Sequence, residues 1–228
     1  MKGAIGFGFP TLATPLLALF VDAKTAVVVL IVPNIVMDGI QAVRRGRVAA
    51  TGRRLAVLLV FGASGTVLGT RLLVGLPSES VTLILGCVVL VFVALNVTRF
   101  RPRVPARWEG WLAPPVGFVA GVVGGVTNVP STLLVIYFYA LGMAKDEFVR
   151  SVSVAFLFYK LFQLGAVVYY GLLGWWLLGV SIALTGLGLS AFGVGLRLQD
   201  RLDQVAFNRA VLVFLGALGL WLSIRAGL

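Results

Sequence analysis

The sequence predicts an all-α polytopic membrane protein made of two homologous halves that form an inverted repeat. First, 60% of the 228 residues are hydrophobic and 12% are charged, about half the charge of a soluble domain, and the mean hydropathy is +1.04. Second, several apolar stretches reach the roughly 20 residues that a spanning helix needs. Third, two segments rich in glycine and proline occupy corresponding places in the two halves.

Composition excludes or disfavours several classes of function. The chain has no histidine, which is the commonest general base and metal ligand, and its single cysteine, Cys87, cannot form an intrachain disulfide. A membrane-embedded enzyme is therefore disfavoured, and we expect no cofactor and no metal site. The net charge of +11 comes from basic residues between apolar runs, which is typical of a topology signal and not of nucleic-acid binding.

Six stretches with few charges predict transmembrane helices, the first of which contains Pro33 and Asp38. They are Thr25 to Val43, Leu55 to Leu76, Ser80 to Val97, Phe148 to Tyr170, Leu172 to Leu196 and Ala210 to Ile224. Each half then consists of a broken, re-entrant helix pair followed by about three transmembrane helices. This divides the chain into a first transmembrane repeat (1–98), a basic cytoplasmic linker (99–110) and a second transmembrane repeat (111–228).

Two further apolar segments contain too many helix breakers to form single helices. Trp111 to Ala144 has the run Gly121-Val-Val-Gly-Gly-Val-Thr-Asn-Val-Pro-Ser-Thr132 at its centre, and Gly3 to Val21 has a similar glycine- and proline-rich start. Irregular backbone at membrane depth occurs where protein or a polar cavity satisfies it. We therefore predict that each segment is a pair of half-helices around an unwound point, with helices that begin near residues 10–11 and 130–131.

The same features follow both broken segments in the same order. Each segment is followed by Ala-Lys, at residues 23–24 and 144–145, and later by a Gly-x-Arg-Leu signature, at residues 69–72 and 195–198. This agreement predicts a duplication. The stretch Trp111 to Ala120 has no counterpart before Gly3, so we expect the first hairpin to be truncated or to begin upstream of Met1.

Basic residues predict how the halves are oriented. If each broken segment returns to its own side of the membrane, the arginine-rich stretches 44–54 and 99–107 share one side with Lys145 and Arg150. The positive-inside rule makes that side cytoplasmic, and the halves are then inverted. A single crossing by each broken segment gives a weaker charge bias and stays open as the alternative.

The motif Gly6-Phe-Gly-Phe-Pro10, which leads into Leu12 and Pro15, and its second copy Gly121 to Pro130 resemble the TauE/SafE family of sulfite and organosulfonate exporters. The resemblance covers nearly the whole chain, including the duplicated architecture. It implies a multi-pass carrier in the cell membrane for a small anion, often sulfite, sulfoacetate or a related organosulfonate.

The residue types at the two breaks suit an oxyanion. A helix N-terminus presents unpaired N–H groups and a partial positive charge, glycines let a ligand approach the backbone, and hydroxyl and amide side chains add neutral donors. We therefore predict a substrate site formed by Gly6, Gly8, Pro10, Thr11, Thr14, Gly124, Gly125, Thr127, Asn128, Ser131 and Thr132. The alternative is that these small residues only allow close helix packing.

Ionisable residues inside the predicted spans complete the predicted site. A charge in hydrocarbon is costly, so a residue that carries one is a candidate for function. Lys160 is placed to attract an anion, and Asp38 is the candidate for proton coupling. Asn34 and Gln163 lie about one helical turn from Asp38 and Lys160 and are predicted to face the same cavity. A structural ion pair between Asp38 and Lys160 is the plain alternative, and Arg71, near the end of its span, is expected to be a snorkelling anchor.

These expectations converge on a secondary transporter that moves a small anion by alternating access. Export is favoured, because a membrane potential that is negative inside drives anions outward, and the sequence has no Gly-x4-Gly-Lys phosphate-binding loop. An anion channel or a non-transporting membrane subunit is the alternative function. The expected partners are the anion and the lipid bilayer, and a homo-oligomer stays open.

Overall fold

The computed structural model describes residues 9–44, 48–98, 103–198 and 204–227, and every regular element in these ranges is a helix. The all-α class is therefore confirmed. In chain order the helices are α1 (Phe9–Leu17), α2 (Ala23–Val29), α3 (Ile31–Arg44), α4 (Val48–Arg54), α5 (Ala56–Gly75), α6 (Ser78–Val97), α7 (Glu109–Thr127), α8 (Ser131–Ala140), α9 (Lys145–Tyr169), α10 (Trp175–Leu198) and α11 (Gln204–Gly227), with a short 3-10 turn, Ala106–Trp108, before α7.

Five helical segments of the described chain are long and apolar enough to cross a membrane. They are Ala23–Val43, Ala56–Gly75, Ser78–Val97, Glu109–Thr127 and Asp146–Tyr169. Four of them match predicted spans to within a few residues. The predicted spans near the C-terminus correspond to α10 and α11, whose described apolar parts are the shorter Trp175–Ser190 and Val211–Ala226. The chain is a multi-pass membrane protein.

The two helices of the second broken segment differ in length, and only the shorter one is a half-helix of the predicted kind. The chain does break at residues 128–130, as predicted, but α7 has 19 residues, or about 28 Å, whereas α8 has 10. The glycines at 121, 124 and 125 do not interrupt α7. Two of them pack directly on α5, which supports the helix through residues that are poor helix formers on their own.

Glycines hold α5 and α7 backbone to backbone. A Cβ on Gly65 would overlap the carbonyl oxygen of Phe118, a Cβ on Gly117 that of Leu58, and a Cβ on Gly121 that of Gly62. The α7 glycines recur every four residues and therefore form one stripe along the helix. Without side chains in this stripe the two helices approach closely, as small-residue interfaces allow within membranes.

A proline explains the short interruption between α2 and α3. Pro33 lacks the N–H that would bond to the carbonyl of Val29, so this carbonyl loses its helical partner. Ser181 on α10 replaces it, since its buried hydroxyl donates to Val29 O at 2.6 Å. The serine thereby ties α10 to the break and satisfies a backbone group that lipid could not.

Polar contacts define two opposite ends of the helix bundle. At one, the Arg54 end, the Arg54 guanidinium pairs with both oxygens of Glu109, at 3.1 Å each, and with Glu147. These hydrogen bonds to Glu109 raise the pKa of Arg54. At the other, the Lys24 end, Lys24 donates to the carbonyl of Val74 at 3.0 Å. Because α5 starts two residues after Arg54 and carries Val74 near its other end, the two ends lie on opposite sides of the spanning region.

The second broken segment starts and ends at the Arg54 end. The hydroxyl of Tyr137, near the end of α8, donates to the carbonyl of Glu109, the first residue of α7, at 2.9 Å. The amide of Val104, just before α7, donates to the carbonyl of Ala140, the last residue of α8, at 2.9 Å. The segment α7–α8 therefore returns to the side from which it starts. The duplication and the inverted relation of the two halves remain predictions.

Candidate functional site

Asn128 lies at the break between α7 and α8 and links three parts of the chain. It adopts φ 68°, a left-handed conformation that asparagine tolerates better than most residues, and its amide N–H closes the end of α7 on the carbonyl of Gly124 at 2.8 Å. Its side-chain Nδ2 donates to the hydroxyl of Thr14 on α1 at 3.4 Å, and its Oδ1 accepts from Lys160 on α9. All three side chains are buried.

Lys160 and Gln163, both on α9, form hydrogen bonds with residues at the break. The ammonium of Lys160 donates to Gln163 Oε1 at 2.6 Å as well as to Asn128. The amide of Gln163 in turn donates to the carbonyls of Gly124 and Gly125, at 3.3 and 3.1 Å. These carbonyls lie in the last turn of α7, and that of Gly124 also accepts from the amide of Asn128. A positive charge and a continuous hydrogen-bond network thus lie at the point where the helix ends.

The first broken segment reaches the same place. Thr14 contacts Asn128, and Pro10 and Thr11 are buried in the first described turn of α1. The two broken segments, which are 114 positions apart at this contact, therefore meet. Gly6 and Gly8 lie outside the residues that the structure describes.

The two short helices leave this meeting point in opposite directions. Leu19, just after α1, accepts from Arg225, and Asp22 accepts from Ser78, so α1 leads to the Lys24 end. Helix α8 begins at Ser131 and leads to the Arg54 end, where Tyr137 contacts the start of α7. The N-terminal end of α8, with its partial positive charge, therefore lies beside Asn128, and α1 contacts Asn128 through Thr14.

The glycines and Thr127 of the predicted site serve the local packing. A Cβ on Gly124 would lie 2.8 Å from Pro130, and a Cβ on Gly125 would lie 2.6 Å from the carbonyl of Thr66. The hydroxyl of Thr127 donates to Val123 O at 2.7 Å and accepts from the amide of Val129 at 3.2 Å, so it satisfies the unwound backbone. These contacts agree with the packing alternative, whereas the glycine carbonyls still take part in the network through Gln163.

Helix α3 presents a buried polar face. Asn34, Asp38 and Gln41 are 0%, 1% and 8% exposed, and their spacing of four and three residues places them on one side of the helix. This helix packs against α9 and α10. Among the described residues, neither amide atom of Asn34 has a hydrogen-bond partner, although both are buried. Gln41 was not predicted as a site residue, yet the 34–38–41 spacing was a visible signal for it.

Thr132 is the second predicted residue with an unused polar group. Its hydroxyl is buried in the first turn of α8 and has no hydrogen-bond partner in the described part of the chain. Leaving a buried polar group unpaired costs about 1–3 kcal/mol, so such groups in a native fold call for an explanation.

We call the buried contact of Thr14, Asn128, Lys160 and Gln163 the junction. The fold and this junction are typical of one class of protein, the multi-pass membrane transporters whose interrupted helices meet inside the membrane. Comparison with known families identifies the family. A family model described as "Sulfite exporter TauE/SafE" matches residues 1–222, and the chain belongs to that family. Family membership implies a membrane exporter of sulfite or related sulfur compounds. Comparison with curated proteins gives no match, and comparison with solved structures gives none.

Proposed function

We propose that the chain is a secondary transporter that carries a small sulfur-containing anion, such as sulfite or an organosulfonate, across the cell membrane by alternating access. Family membership supports the transport of a sulfur compound. The observation that carries the proposal is the position of Asn128, whose side chain contacts Thr14 of one broken segment and Lys160 beside the other. An anion at this point would meet both broken segments at once.

The chemistry of the junction suits a doubly or singly charged oxyanion. The Lys160 ammonium supplies positive charge, and the start of α8 adds backbone N–H groups that have no helical acceptor. The buried hydroxyl of Thr132, in the first turn of α8, adds a neutral donor, and we expect the buried amide of Asn34 on α3 to add another. Anion oxygens would take over hydrogen bonds that Asn128 and Gln163 now accept from Lys160. This exchange makes release feasible, since the lysine regains its own partners when the anion leaves.

Alternating access would require the contacts at the two ends to open in turn. The bidentate pair between Arg54 and Glu109 and the bond from Arg54 to Glu147 join α4, α7 and α9 at the Arg54 end. The bond from Lys24 to Val74 joins α2 to α5 at the Lys24 end. In this mechanism the site is reached from one end when the contacts there separate while those at the other end hold.

The membrane potential sets the direction of anion transport. Moving one charge across 100 mV is worth about 2.3 kcal/mol, and in a cell that is negative inside this drives anions outward. Export of an anion therefore needs no nucleotide hydrolysis. Asp38, buried on the polar face of α3, is the candidate for proton coupling.

Flux of radiolabelled sulfite from proteoliposomes tests the proposal. We expect saturable flux from the wild-type chain, the background of empty liposomes from Lys160→Met, and a loss of at least about tenfold from Asn128→Leu, because a charge-assisted hydrogen bond is worth roughly 1.5–3 kcal/mol. Tyr159→Phe is the matched control, since Tyr159 precedes Lys160 but its hydroxyl contacts Leu58 and not the junction. Wild-type flux in both junction variants would overturn the assignment of the site.

The concentration dependence separates a carrier from the alternatives. A carrier saturates with sulfite, whereas an anion channel gives flux that rises in proportion to the gradient. A non-transporting membrane subunit gives no flux above empty liposomes. The proposal of a carrier fails in either of these two cases.

A further inference from the structure

A lateral groove on the outer surface of the bundle lies apart from the junction. It has a volume of about 510 Å³, within the range of about 300–1,000 Å³ that small-molecule sites occupy. Its walls come from α5 and α9 and are almost wholly apolar, formed by Val67, Leu161, Phe162, Gly165, Ala166, Tyr169 and Tyr170. Leu161 and Phe162 are 49% and 42% exposed although they neighbour buried Lys160 and Gln163 on the same helix. The groove therefore opens towards lipid.

A charged residue, Arg71, lies one helical turn beyond the α5 wall of this groove. Arg71 is exposed and lies one helical turn after Val67 on α5, so the two residues share a face. Within the described residues it has neither a hydrogen bond nor an ion pair, whereas Arg54 and Arg150 both have side-chain partners. It lies four residues, about 6 Å, before the end of α5, and this is within reach of the headgroup region by snorkelling.

The two tyrosines of the groove lie towards the same end of the bundle as Arg71. Helices α5 and α9 both start at the Arg54 end, so Tyr169, the last residue of α9, and Tyr170 lie towards the same end as Arg71. Their rings pack edge to face at 5.2 Å, and Tyr169 is 84% exposed. Tyrosine is typical of the interface between hydrocarbon and headgroups because one end of its ring is apolar and the other is polar.

We propose that this groove binds one anionic phospholipid, with an acyl chain against the apolar walls and the phosphate on Arg71. Charge complementarity favours this occupant: an exposed guanidinium near the membrane surface attracts an anion, and a phosphodiester accepts two of its N–H groups at once. The tyrosine hydroxyls would hydrogen-bond the same headgroup. The site is independent of the transported anion, because the junction side chains Lys160 and Gln163 point away from the groove into the buried network.

Native mass spectrometry of the full chain, with phosphatidylglycerol or phosphatidylcholine added in detergent, tests this site. We expect one phosphatidylglycerol to bind more tightly than phosphatidylcholine, and Arg71→Gln to weaken phosphatidylglycerol on the order of tenfold and abolish the preference. Arg53→Gln, which removes an exposed arginine near the Arg54 end, is the matched charge control.

A second variant tests the groove itself. A Cβ on Gly165 meets no atom within 4 Å, so Gly165→Leu has room to place its side chain in the groove, and we expect it to abolish the binding of phosphatidylglycerol. Gly179→Leu, at an equally open glycine on α10, should leave binding unchanged. Equal binding of the two lipids by the wild type, or equal binding by the two leucine variants, overturns the proposal. A dimer that Gly165→Leu dissociates would overturn it as well, since a second copy would then occupy the groove.

Discussion

Asn128 combines an unusual backbone conformation with the central side-chain contacts of the junction, and the two roles can be separated by substitution. In the left-handed region alanine costs about 1–2 kcal/mol, a cost that glycine avoids and that asparagine, which visits this region more readily, reduces. Both Asn128→Gly and Asn128→Ala remove the contacts to Thr14 and Lys160, but only alanine adds strain at φ 68°. We expect both variants to lose sulfite flux and the alanine variant to have the lower melting temperature. Equal melting temperatures would show that the positive φ is not a constraint.

Asp22 is the second residue with a measurable role, as the N-cap of α2. Partial burial alone raises the pKa of its carboxyl, but hydrogen bonds from Thr25, Lys24 and Ser78 outweigh burial and leave the pKa below its usual value. The carboxylate therefore stabilises the fold above about pH 4, and this contribution is lost as the pH falls through the lowered pKa.

The variant Asp22→Asn tests this pH dependence, because asparagine still caps a helix but does not titrate. We expect the wild type to be more stable than the variant at pH 7 and the difference to shrink below about pH 4, as measured by thermal unfolding in detergent. Glu79→Gln, which removes another carboxylate from the Lys24 end, controls for net charge. A difference that does not change with pH would exclude the carboxylate as the cause.

At the scale of elements, the addition of a single methyl group tests the packing of α5 against α7. A Cβ at Gly121 would overlap the carbonyl of Gly62, so Gly121→Ala must push the helices apart, and overpacking of this kind costs about 1–3 kcal/mol. Gly110→Ala is the matched control on the same helix, since its Cβ meets nothing and alanine favours the helix. We expect a lower melting temperature for Gly121→Ala and an unchanged or higher one for Gly110→Ala. The reverse order would contradict the close approach.

The same element shows what the sequence could and could not predict. Proline and asparagine at 128–130 are local signals, and the break they predict lies where the structure has it. The length of α7 was not predictable in this way, because Gly121 and Gly125 stay helical through contacts with Gly62 and Thr66, more than fifty residues away. Lys160 was predictable as a buried cation from its place in an apolar span, whereas its bond to Asn128 depends on how the helices pack.

At the scale of the whole molecule, the contacts at the two ends predict which loops share a side of the membrane. Gly110, in the first turn of α7, and Ala144, shortly after α8, lie at the Arg54 end, and Gly75 lies at the Lys24 end. All three are exposed, and a Cβ on either glycine would meet no atom within 4 Å, so cysteine can replace each without overlap. Native Cys87 is exposed and must first be changed to serine.

We expect a membrane-impermeant maleimide, applied to intact cells, to label Gly75→Cys but not Gly110→Cys or Ala144→Cys. Both of the latter should react once the membrane is opened, because basic loops stay in the cytoplasm and the Arg54 end carries most of them. Opposite labelling of positions 110 and 144 would mean that the segment crosses the membrane once. The bonds from Tyr137 to Glu109 and from Val104 to Ala140 could not then form, and α1 and α8 would no longer leave the junction in opposite directions.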